Sequence, residues 1–124
     1  MTPDIYPSMR YRDARGAIDW LERAFGFQRH VVHENADGSV AHAELRYGEG
    51  IVMLGSWRGE DDPRRPGQGW AYVVVENLDD HVRQAEQAGA EIVNGVQRED
   101  YGSFYGARDP EGNLWSFGTY RPEP

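Results

Sequence analysis

The strongest constraint on this chain is internal: the same local design occurs twice, offset by about 64 residues. In the first copy Asp13 precedes an apolar stripe of Ala14, Ala17, Ile18, Leu21, Ala24 and Phe25, and Gly26 closes it. The stripe has helical spacing. The Asp13 carboxylate suits the free amides of a first turn, and Gly26 suits a left-handed C-terminus. In the second copy Leu78, Val82, Ala85 and Ala88 mark one face of a helix over about 79–88, with Asn77 or Asp79 as cap and Gly89 behind. A strand pattern precedes each helix, Ile5 to Tyr11 and Trp70 to Glu76, and three follow each. These are Phe27 to His33, Val40 to Tyr47 and Ile51 to Gly55, then Glu91 to Val96, Ser103 to Arg108 and Asn113 to Tyr120. Asp37-Gly38 and Asp109-Pro110-Glu111-Gly112 are turn signals between strands.

The pattern predicts an α+β fold of two tandem βαβββ modules, forming a curved mixed sheet around a cleft with helices on the outer face. One domain over residues 1–124 accounts for the length: module one 1–55, linker 56–69, module two 70–120. The linker is rich in charge, Pro and Gly and reads as flexible, with Ser56-Trp57 as a lip over a pocket.

Strand side chains alternate, so a helix covers one sheet face and leaves the other open. Met9, Tyr11, Ala43, Leu45, Val52, Leu54, Val73, Trp115 and Phe117 suit the covered face. The open face then carries Tyr6, Ser8, Arg10, His42, Glu44, Met53, Trp70, Tyr72 and Ser116, with Trp57 beside it. Aromatic walls with a few polar groups suit a cleft for a small organic molecule, or an interface with a second copy.

A net charge of −8 repels phosphate backbones and anionic headgroups, which argues against nucleic-acid and membrane partners. Cysteine is absent, so no thiolate nucleophile, thiolate ligand or disulfide exists. The opening Met1-Thr2-Pro3-Asp4 lacks the features of a secretory leader, and the expected location is cytoplasmic.

Arg12-Asp13-Ala14, Ala24-Phe25-Gly26, His42-Ala43-Glu44-Leu45, Ala88-Gly89-Ala90 and the run Arg108 to Ser116 occur in one order along nearly the whole chain. In this the sequence resembles the vicinal oxygen chelate superfamily of glyoxalases, bleomycin and fosfomycin resistance proteins and extradiol dioxygenases. The resemblance implies paired modules around a cavity, commonly in a homodimer. It also implies four metal positions, which here hold Tyr6, Met53, Trp70 and Ser116. None is a usual divalent-cation ligand. The expected protein is therefore of the bleomycin-resistance style, binding its ligand with no metal and no cofactor.

Alternatives follow from other residues. A two-residue turn at Asp37-Gly38 places His33 opposite His42, with Glu44 on the same face, as a relocated metal site for a lyase, isomerase or dioxygenase. Alternation sends His30 to the other face, and His81 reads as solvated at a helix start. His42 and Glu44 also supply groups for metal-free acid–base work. Arg108 reads as a partner of Asp109 or Glu111, with ligand anchoring as its other role. A dimerisation or regulatory module with a filled cleft is the remaining alternative.

Overall fold

The computed structural model describes residues 2–123. The elements are β1 (Ser8–Tyr11), α1 (Ala14–Phe25), β2 (Gln28–Glu34), β3 (Val40–Tyr47), β4 (Gly50–Ser56), β5 (Trp70–Val74), α2 (Leu78–Gln87), β6 (Glu91–Glu99), β7 (Gly102–Arg108) and β8 (Leu114–Gly118). They form two four-stranded mixed sheets, ordered β1-β4-β3-β2 and β5-β8-β7-β6. The first strand of each module pairs in parallel with the last, Ser8 opposite Met53 and Tyr72 opposite Ser116. The α+β class and both βαβββ modules are thus as expected, with each module keeping its own sheet.

Both helices have local causes. The Asp13 side chain accepts from the Gly16 amide, and Gly26 ends α1 at φ +82°. Asn77 accepts from the Asp80 amide, and Asp79 and Asp80 lie in the first turn of α2, where the helix dipole favours negative charge. The first strand starts later than the pattern suggested. Pro7 has no N–H to donate, and its carbonyl accepts from Met53 before the ladder begins.

The helix-covered faces share one core. Phe25 packs on Trp115 and Phe117, with centroids 5.8 and 4.7 Å away, and Phe27 lies 5.3 Å from Trp115. Each such buried ring contributes about 1.5–3 kcal/mol. Three polar contacts tie α1 to α2: Trp20 Nε1 donates to the Ala88 carbonyl, Gln84 Nε2 to that of Arg23, and His81 Nε2 to that of Phe25. His81 is therefore buried and not solvated: α1 of the other module covers it. The Phe25 carbonyl can only accept, which assigns the proton to Nε2. Nδ1 then accepts from the Tyr105 hydroxyl at 2.6 Å.

The turn before β8 is the second inter-module clamp. Asp109 accepts from the Tyr11 hydroxyl, the Trp115 indole, the Asn113 side chain and the amides of Glu111 and Asn113. Glu111 accepts from the amides of Arg12 and Asp13, and Asn113 Oδ1 from that of Gly69. Arg108 has a structural place, through partners other than those expected. It donates to the Gly112 carbonyl and lies 3.8 Å from Glu91.

Residues 57–69 form an ordered strap and not a flexible linker. Buried Asp62 accepts from the amides of Arg58 and Arg64 and from the Arg64 guanidinium. The Trp57 amide donates to Tyr11, its indole to the Asp62 carbonyl, and the guanidiniums of Arg12 and Arg65 lie 4.9 and 5.6 Å from its ring. Among the described residues, no helix is long and apolar enough to cross a membrane.

Candidate functional site

The open face of the second module is an aromatic platform. Trp70 is 72% exposed and Tyr72 40%, yet both rings are tethered at their polar ends. Trp70 Nε1 donates to Ser116 Oγ at 3.0 Å, and the Tyr72 hydroxyl to the Tyr120 carbonyl at 2.6 Å. Each ring leans along β8. Trp70 is in register with Leu114 but reaches Ser116, while Tyr72 is in register with Ser116 but lies over Gly118. A Cβ at Gly118 would stand 2.7 Å from the Tyr72 hydroxyl oxygen, so only glycine lets that ring lie down. Tethering removes rotamer freedom before any ligand arrives.

The open face of the first module is polar. His42 Nε2 bonds Glu44 Oε2 at 2.8 Å, and this bond is the first cause holding the Glu44 carboxyl below its ordinary value. His33 is opposite His42, with ring centroids 6.3 Å apart. The pairing was expected from a two-residue turn. The actual loop runs from Asn35 to Ser39, and an irregularity after His33 restores the register. A second irregularity at His30 overturns its assignment to the other face. The ladder skips from Arg29 to Val31, and His30 Nδ1 lies 3.2 Å from Arg46 Nη2. Even so, among the described residues no three His, Asp or Glu side chains converge to hold a metal ion.

The remaining predicted residues are dispersed. Ser8 and Met53 are a register pair on β1 and β4. Tyr6 lies before β1 and donates to the Pro3 carbonyl at 2.6 Å. Trp57 is held in the strap. Ser8, His42, Glu44 and Met53 thus share one sheet, and Trp70, Tyr72 and Ser116 the other. The covered sides meet in the common core, so the two open faces look away from each other within one chain. Tyr6 and Trp70 share no hydrogen bond or ring contact among the described residues.

The four positions that the resemblance assigns to a metal do not fit one. Met53 supplies a thioether, and the Tyr6 hydroxyl is spent on a carbonyl. Trp70 offers only an N–H donor, which Ser116 accepts.

Sequence reasoning missed a crevice of about 650 Å³ between the modules. Of the predicted residues, only Tyr72 lines it. Its walls come from both modules, so only the amphipathic pattern of each wall was visible in advance.

Residues 6–117 match the family model described as the Glyoxalase/Bleomycin resistance protein/Dioxygenase superfamily. The chain is 29% identical to an uncharacterised protein of Mycobacterium bovis, over 94% of this chain and 82% of that one. Among solved structures it resembles TioX from a Micromonospora species at 32% identity and TM-score 0.80, covering 96% of this chain and 99% of that one. It also resembles TnmS3, an antibiotic-binding protein from a Streptomyces species, at 16% identity and TM-score 0.73, over 94% and 96% of the two chains. At that identity the second likeness concerns the fold alone.

Proposed function

The chain belongs to the glyoxalase/bleomycin resistance protein/dioxygenase superfamily, and from that premise we propose that it holds a small organic molecule non-covalently, without a bound metal. The observation that carries this is the tethered Trp70–Tyr72 platform. Exposed rings of this size ordinarily pack or move, whereas these are oriented by Ser116, Tyr120 and the gap at Gly118. A planar ligand stacks on such a surface at little ordering cost. TnmS3 is named for binding an antibiotic, which makes aromatic antibiotics the first ligand class to try.

The protein acts as a homodimer in this proposal, in the cytoplasm. Each chain offers an aromatic half-site and a polar half-site that cannot face each other. A second copy laying Ser8, His42, Glu44 and Met53 over the partner's platform would complete two clefts. Tryptophan fluorescence titrated with planar aromatic antibiotics, alongside sedimentation analysis, tests both parts. Saturable quenching by the dimer, abolished in Trp70→Ala, is expected. A strictly monomeric protein that answers no ligand overturns the proposal.

One observation favours a second reading, metal-free acid–base catalysis. With Glu44 accepting from His42 Nε2–H, the imidazole is oriented and Nδ1 is left to take a proton from a bound substrate. His42→Asn would then abolish turnover while leaving binding within about twofold. Equal loss of both would reduce His42 to a binding group.

A further inference from the structure

We propose that the crevice between the two modules is a second ligand site, for a small organic cation with an apolar body. Its volume of about 650 Å³ falls among ordinary small-molecule sites and far exceeds a packing void. The inner wall is built from the covered faces of both sheets, with Phe27, Val52, Val73 and Trp115 presenting an apolar surface. The floor is uncharged where it is polar, since both nitrogens of His81 are already committed to Phe25 and Tyr105.

The charge at the mouth is one-sided. Glu49, Glu76 and Asp80 line it against a single cation, Arg121. Asp80 is paired with Arg83, but neither Glu49 nor Glu76 has an ion-pair partner among the described residues. Glu76 reaches the interior electrostatically. The Tyr47 phenol is held above its ordinary value first by burial and then by the Glu76 charge. A cation entering here gains those unpaired carboxylates beside an apolar wall.

The crevice also runs along β5, an edge strand. Gly69 and Val75 bond β8 through their backbones, so by alternation Tyr72 and Val74 turn their carbonyls away from it. An ammonium or amidinium group would find acceptors there, but the N–H groups of the same residues turn outward with them, so the preference for a cation comes from Glu49 and Glu76. Apart from Tyr72, none of these groups belongs to the open-face site.

Calorimetric titration of the full chain with tetraphenylphosphonium and tetraphenylborate, ions of one shape and opposite charge, tests this. The phosphonium is expected to bind saturably and the borate not. Glu49→Gln combined with Glu76→Gln should weaken phosphonium binding roughly tenfold, since each exposed ion contact is modest. Arg121→Glu should strengthen it, and Trp70→Ala should leave it unchanged. Equal binding of both ions, or wild-type affinity in the double variant, overturns the site. Loss of binding in Trp70→Ala moves the cation to the open face and also overturns it. Absence of phosphonium binding, with amide exchange showing β5 protected in a dimer, gives the crevice to a second copy and refutes the proposal.

Discussion

The hydroxyl of Tyr11 lies 2.6 Å from Asp109 Oδ2, joining the strand that opens the first module to the turn before the last strand of the second. Burial, with the Asp109 charge second, pushes the Tyr11 phenol far above its ordinary value, so it remains a donor at any ordinary pH. Tyr11→Phe should cost about 1–3 kcal/mol, the price of a buried acceptor losing one partner. Urea denaturation measures it. A loss within error would mean the remaining donors satisfy Asp109 without Tyr11.

His81 makes stability depend on mild acid. Burial holds its imidazole below the ordinary 6.5, against a smaller upward pull from the Phe25 carbonyl. The unfolded chain therefore takes up the proton first as pH falls. The stability is fully present above 6.5 and declines below it until the folded-state value is passed. His81→Gln keeps a donor for Phe25 and removes the titration. Its urea midpoint should change less than that of the wild type between about pH 7.5 and pH 5; equal changes would place the titrating group elsewhere.

Ser116→Ala should free the Trp70 indole without unfolding anything. The ring is largely exposed, and the lost bond is worth about 1 kcal/mol at most. The indole N–H resonance of Trp70 should exchange faster with water and ligand affinity should fall, at nearly unchanged melting temperature. An indole protected as before would show that Ser116 does not orient it.

Gly118→Ala should both destabilise the protein and spoil the platform. The added Cβ would meet the Tyr72 hydroxyl at 2.7 Å and the Ser103 carbonyl at 2.9 Å, and the second of these is backbone and cannot swing aside. A cost of about 1–3 kcal/mol is expected. Tyr72→Ala in the same background should recover only the part due to the ring.

Asp62→Asn should open the strap to trypsin. The carboxylate gathers Arg58 and Arg64, and their hydrogen bonds, led by the Arg64 amide, hold it below its ordinary value. That contribution is present above the unfolded value and lost as pH falls through the folded one. Cleavage after Arg58 or Arg64 should be faster in the variant at neutral pH. Unchanged cleavage would mean that Trp57 and its two arginines suffice to hold the strap.

The sequence by itself determined the two modules, the caps of the first helix and the faces of the strands that open and close each module. These are local matters: a capping carboxylate, a left-handed glycine and a period of two or 3.6 act within a few residues. It also turned Trp70, Tyr72, Ser116, His42 and Glu44 away from the helices, but onto one shared open face, where the structure divides them between two sheets. Where sequence reasoning failed, distant segments decided. His81 is buried because α1 of the other module sits on it, and His30 shares a face with His42 because the ladder skips a residue. Asp62 orders a strap whose composition alone suggests freedom. Only the tertiary structure showed that the modules share one core through their covered sides, leaving two open faces that look apart and a crevice between the sheets. That packing depends on how two apolar surfaces fit together in space, and no spacing along the chain encodes the fit.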